Sequence, residues 1–290
     1  MDKTFIRFFG MRRSGIHALN NWIISHLEGR IFYVNDASII KNSIKRECNT
    51  LNCLQPKNRP APYSHITKGN IDNKDCVFLS YEDGDFLKTL STPPNQDNVY
   101  GEFDKYSDIF LVRNPYNLFC SRAEAFNNGL RHNTYPSVED KNSFDSLVAL
   151  WKEMARNLLK PQGNEVGIYY DDWHVNQGYR KDICKKLGLS FTDKGKHLVS
   201  GWGWGSSFDG RGMHPDKMNV LDRTAAYKEA EFYLKLLEDA ELNSLYNEIK
   251  DNFNSPILSK AIQRQKLPPL QRQKRSQQFD WPPLLWPTVG

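Results

Sequence analysis

Along most of the chain, short apolar runs bounded by turn residues alternate with stretches in which apolar residues recur at helical spacing. This alternation predicts an α/β fold with a largely parallel sheet flanked by helices, because each crossover between parallel strands needs a covering element. The apolar runs predict strands at 5–9, 31–34, 76–80, 109–112 and 166–169. Helical spacing predicts helices over 16–27, 116–127, 144–159 and 177–187, the last closed by Gly188 as a C-cap. Two more helices are expected over 225–237 and 242–252. The polar segments 35–75 and 127–143 are too long for ordinary connections, and in such a fold long loops sit where substrates are chosen. There is no internal repeat.

The 290 residues, 39% hydrophobic and 12% aromatic, are enough for one large domain, expected over 1–255. No apolar run approaches the roughly 20 residues of a membrane span. The start of the chain, MDKTFIRFFG, enters a strand pattern at once and has no signal-sequence layout, so a soluble cytoplasmic protein is expected. Cys48, Cys53, Cys76, Cys120 and Cys184 are odd in number and lack metal spacing, which favours reduced thiols.

The formal charge of +5 is confined to the end of the chain. From Pro256 onward Lys260, Arg264, Lys266, Arg272, Lys274 and Arg275 face Asp280 alone, which leaves residues 1–255 neutral. A neutral body argues against nucleic acid as the partner. The Pro- and Gln-rich segment 256–290 reads as an extended or disordered tail, either a solvated appendage or a docking segment built on Trp281, Leu284, Leu285 and Trp286.

The candidate chemistry begins at FFGMRRSGIHAL, residues 8–19. Gly10 and Gly15 have the spacing of a phosphate loop, between a strand and a helix, where backbone N–H groups and the helix dipole attract anions. A tight strand-to-helix turn would use the same glycines. Arg12 and Arg13 favour the anion site, since two guanidiniums at a helix N-terminus repel its dipole unless an anion is there. Ile16 stands where a nucleotide-hydrolysing loop carries Lys, and His17 where it carries the magnesium-holding Ser or Thr.

A second unit, DIFLVRNPYNLFCSRAEAF at 108–126, puts Arg113 at a strand end, a turn at Asn114-Pro115 and Ser121 on the next helix. With this unit the chain resembles the sulfotransferases that use 3′-phosphoadenosine 5′-phosphosulfate (PAPS) and have a P-loop-like α/β fold. In that family a [KR]-S-G-x-[ST] loop holds the 5′-phosphosulfate, and R-[DN]-P-x5-S holds the 3′-phosphate. Arg13-Ser14-Gly15 matches the first, and Arg113-Asn114-Pro115 with Ser121 matches the second.

VGIYYDDWHVNQGYRKDICKKLGL at 166–189 resembles the family's strand, acidic turn and helix, which implies Tyr170 near the adenine with Asp171 and Asp172 capping the turn. GWGWGSSFDGRG at 201–212 falls where the family closes a loop over the 3′-phosphate, although the Arg-Lys-Gly pattern of the cytosolic branch is absent. The resemblance, which covers about 4–253, implies a donor site of Arg12, Arg13, Ser14, Gly15, Ile16, His17, Ala18, Arg113, Ser121, Tyr170, Ser206, Ser207, Phe208 and Arg211.

A sulfuryl group carries less charge than a phosphoryl group, so backbone amides and one cation suffice and no metal is required. Arg13 is the expected cation. In-line transfer to a hydroxyl or amine also needs a general base. Asp36, 21 residues beyond Gly15, lies where the Golgi-type branch carries an acidic base, His17 has an intrinsic pKa near neutrality, and Glu82 follows the strand CVFLSY. Each also has a bland role: a turn cap, a helix hydrogen bond or a surface ion pair. The expected acceptor is a small molecule or carbohydrate. A P-loop kinase and a non-catalytic binder of adenosine 3′,5′-bisphosphate stay open as alternatives.

Overall fold

A computed structural model describes residues 2–35, 37, 50–51, 74–83, 101–127, 141–197 and 218–253. Its sheet has the order β3-β2-β4-β1-β5-β6, formed by β1 (Thr4–Gly10), β2 (Ile31–Asn35), β3 (Thr50–Leu51), β4 (Cys76–Glu82), β5 (Lys105–Val112) and β6 (Glu165–Tyr169). Five strands are parallel, and only the short β3 runs antiparallel, against β2. The helices are α1 (Ile16–Ile24), α2 (Pro115–Asn127), α3 (Lys141–Leu159), α4 (Tyr170–Val175), α5 (Gln177–Lys186), α6 (Glu231–Glu238) and α7 (Ala240–Phe253). None of them is long and apolar enough to cross a membrane.

The central strands are buried on both faces, which is why β1 and β4 read as near-continuous apolar runs. On one face Asn20 of α1 donates to Tyr33 Oη and Ser80 Oγ, both at 2.9 Å, and so ties α1 across β2 and β4. On the other, Leu158 of α3 packs on Phe110 and Gly167. Arg7 and Asp108 meet as a part-buried bidentate pair, with both contacts at 2.6 Å.

This strand order fixes where a site can form. The chain leaves β1 toward β2 in one direction, and from β4 it steps over β1 to β5 in the other. The C-terminal ends of β4, β1 and β5 therefore meet at the topological switch of the sheet, where the connections diverge and leave a crevice.

Every predicted strand and most predicted helices form, with strands extended by one to four residues. Gly188 closes α5 at φ +68, with Leu189 N donating to Cys184 O at 2.8 Å, as expected of a left-handed C-cap. Two expectations need correction. The helix expected over 225–237 is broken into a 3-10 turn, Thr224–Ala226, and α6, because Tyr227 N and Ala230 N close turns on Thr224 O and Tyr227 O. Asp171 and Asp172 do not cap a turn from outside; they form the buried first turn of α4, and Tyr169 is its N-cap. Among the described cysteines, Cys76, Cys120 and Cys184 are free and buried, and burial pushes the Cys76 and Cys120 thiols up to about 12.

Candidate functional site

The loop after β1 is built around two left-handed residues, Arg13 at φ 73 and Gly15 at φ 96. Gly15 is the N-cap of the nine-residue α1, and because Ala18 N and Leu19 N both donate to Gly15 O, the amides the helix leaves over are those of Ile16 and His17. The glycine is required twice over. Its φ favours a residue without a Cβ, and a Cβ there would stand 2.1 Å from Tyr170 Cε2. Ser14 is fully buried, and its Oγ has no partner among the described residues. Ile16 turns its side chain into the core, so the site takes nothing from position 16 beyond its backbone. Ala18 is half-buried in the first turn of α1.

Arg113, at the end of β5, is 3% exposed and reaches back to the loop. Its Nη1 donates to Arg13 O at 2.8 Å, Nη2 donates to Val220 O, and the guanidinium lies 4.9 Å from the centre of the Tyr170 ring. Its buried Nε has no partner among the described residues. The two sequence units, 100 residues apart, thus touch through one guanidinium.

Ser121 lies on α2 with its Oγ accepting from Arg223 Nη1 at 2.9 Å. Sequence reasoning missed Arg223. It is 6% exposed, and its backbone and Nε are fixed by Asn117 Oδ1 at 2.9 Å and Asn219 O at 3.1 Å. In the sequence it stands only as a cation two residues beyond Leu221, in the mixed stretch MNVLDR. Ser206, Ser207, Phe208 and Arg211 lie outside the described residues.

On the other side of the loop, β4 ends on the Glu82 carboxylate. Glu82 Oε2 is 3.3 Å from Arg12 Nε, and Glu82 Oε1 is 3.4 Å from His17 Nε2. Arg12 therefore meets a protein carboxylate at the helix N-terminus. Its presence there demands no bound anion, so the sequence inference drawn from Arg12 and Arg13 together is not carried by Arg12. His17 is pushed down to about 4 by burial, then by the Arg13 and Arg12 guanidiniums, and is neutral at neutral pH. Of the three candidate bases the structure brings His17 and Glu82 together, while Asp36 lies outside the described residues.

A buried acidic group lies behind Arg113. Asp171 accepts from Tyr169 Oη at 3.2 Å, and its Oδ1 is without a partner among the described residues. Burial raises its carboxyl to about 6, and the charge of Arg113 opposes that rise. Among the described residues, no group of three or more His, Cys, Asp or Glu is placed to hold a metal ion.

No family model matches the chain, and no curated protein matches it. Solved structures similar to it include the mouse sulfotransferase SULT7A1 complexed with PAP, at 12% identity and a TM-score of 0.41, with 90% of this chain and 88% of that chain covered. They also include the sulfotransferase domain from the curacin biosynthetic pathway, at 13% identity and a TM-score of 0.43, with 86% and 98% covered.

Proposed function

We propose that this chain transfers a sulfuryl group from PAPS to a hydroxyl or amine on a small-molecule or carbohydrate acceptor. The observation that carries the proposal is the contact of Arg113 with the carbonyl of Arg13, which brings the two motif units into one crevice. Ser14 Oγ and Arg113 Nε, without partners among the described residues, fit a polyanionic nucleotide, since buried polar atoms without partners are costly unless a ligand satisfies them.

The donor supplies the sulfuryl group, whose S–O bond to the 5′-phosphate breaks as the acceptor oxygen or nitrogen attacks sulfur. Arg13, Ser14 and the first amides of α1 hold the 5′ end. Arg13 stabilises the charge that builds on the leaving phosphate. Arg113, Ser121 and Arg223 hold the 3′-phosphate, and Tyr170 is the ring against which the adenosine rests. Glu82 takes the acceptor proton. Its neighbour His17, with basicity pushed down by burial and two guanidiniums, has lost the advantage of an ordinary imidazole in that role.

Thermal unfolding with adenosine 3′,5′-bisphosphate and with AMP tests the donor site. A concentration-dependent rise in Tm for the bisphosphate, well beyond that for AMP, is expected. Equal rises would remove the 3′-phosphate site. Transfer from labelled PAPS to pooled acceptors in EDTA then tests the reaction. Activity that needs Mg²⁺ and ATP instead would make the chain a kinase.

A further inference from the structure

We propose that Asp83 and Arg122 are positioning residues that set the phosphate loop by holding both polar groups of the Arg12 backbone; this rests on the donor site proposed above. Asp83 Oδ1 accepts the Arg12 N–H at 3.0 Å, and Arg122 Nη1 donates to Arg12 O at 3.1 Å. The same two side chains bind each other at 2.8 and 3.0 Å. The Arg122 side chain is fully buried and that of Asp83 is 8% exposed, so the pair is held in one arrangement by its surroundings.

The hold extends along the loop. Asp83 itself sits at φ 52 and donates its N–H to Gly10 O at 3.2 Å. Arg13, the next residue after Arg12, is the one with φ 73, and its carbonyl is taken by Arg113. From Gly10 to Arg13 the loop backbone is therefore tied to β4, to α2 and to the end of β5. A left-handed arginine is strained, and it persists only where its neighbours fix it on both sides. A buried ion pair is a poor way to gain stability, because desolvation offsets most of its attraction. It is a good way to fix geometry, because the bidentate fork tolerates little misplacement. The pair touches no reacting group; it acts through the loop, whose amides must already point at the 5′ end of the nucleotide when it arrives.

Calorimetric titration of the full chain with adenosine 3′,5′-bisphosphate and with adenosine 3′-monophosphate tests this, since the second ligand lacks the group the loop takes. Asp83→Asn keeps an oxygen for the Arg12 amide but removes the charge facing Arg122. The expected result is a Kd for the bisphosphate raised between about 10- and 100-fold, with the Kd for the 3′-monophosphate unchanged. An unchanged Kd for the bisphosphate overturns the positioning role, as does a parallel loss for both ligands, which marks general damage. Arg122→Lys, which keeps the charge and loses the fork, is expected to give the same pattern if Asp83→Asn does not fold.

Amide hydrogen exchange of the ligand-free protein supplies a readout that needs no nucleotide. In either variant the loop over 10–15 is expected to exchange faster while β4 and β5 keep the parent's protection; unchanged loop protection overturns the role. If the parent chain binds no bisphosphate at all, the donor site itself is wrong, and the positioning role falls with it. Parent binding with unaffected variants removes the positioning role alone.

Discussion

Tyr170 lies across Gly15, with its ring edge 2.1 Å from where a Cβ on the glycine would stand. The ring cannot easily withdraw. It is buried, it packs 5.7 Å from the Trp173 ring, and the Arg113 guanidinium covers it. Gly15→Ala therefore meets two separate penalties, a left-handed φ and an overpacked contact, together about 2–4 kcal/mol. Urea unfolding of Gly15→Ala, Tyr170→Leu and the double variant separates them. The double variant is expected to recover the steric part and not the backbone part, so the cycle is non-additive. Additive losses would mean that the two residues do not press on each other.

Arg223 and Ser121 form the inner wall of the proposed 3′-phosphate site. Arg223→Met is expected to weaken the bisphosphate about 10- to 100-fold, the range of a lost charge-assisted hydrogen bond, while AMP binding stays near the parent's. Discrimination between the two nucleotides would then collapse. Calorimetric titration with both ligands measures it, and a variant that still prefers the bisphosphate as strongly as the parent places the 3′-phosphate elsewhere.

The strands and the loop glycines were legible in the sequence because each depends on local pattern. Phe5 to Phe9 is apolar but for Arg7, since β1 is buried on both faces, and Gly15 is read from its spacing to Gly10. The placement of Arg113 at a strand end and of Ser121 on the next helix was legible for the same reason, as one strand-turn-helix unit. The partners that complete the site lie far away in the chain. Arg223 is 102 residues from Ser121, and Asp83 is 39 from Arg122; nothing in either local stretch specifies the pairing. Arg12 was misread for a related reason. Its charge at a helix N-terminus implies an anion, but composition does not say that the anion is Glu82, delivered by β4. The break between Thr224–Ala226 and α6 was hidden because Tyr227 and Phe232 continue an apolar pattern across it.

Glu82 is the proposed proton acceptor, and Glu82→Gln keeps the shape of the side chain while removing that capacity. Turnover of labelled PAPS, by transfer or slow hydrolysis, is expected to fall about 10²- to 10⁴-fold with bisphosphate affinity within a few-fold of the parent's. His17→Gln is expected to cost less turnover than Glu82→Gln. The reverse order would make His17 the base, and full turnover in both variants would direct attention to Asp36.

His17 and Asp171 make opposite contributions to stability over one pH range. His17 is lowered from 6.5 to about 4, chiefly by burial, so the unfolded chain binds the extra proton between those values. Its contribution is fully present above pH 6.5 and is lost as pH falls toward 4. Asp171 is raised from 3.8 to about 6, again chiefly by burial, so here the folded chain holds the extra proton. Its contribution is present below pH 3.8 and is lost as pH rises through 6. Each slope is at most one proton, about 1.4 kcal/mol per pH unit, and in the parent they oppose each other. Asp193, lowered to about 2 by Arg180, titrates beneath this range and is common to all variants. Relative to the parent, His17→Gln should therefore lose stability as pH rises from 4 to 6, and Asp171→Asn should gain it. Urea midpoints at pH 4, 5, 6 and 7 measure both. Slopes of the same sign in the two variants would mean that one of these groups is not shifted in the direction its surroundings give it.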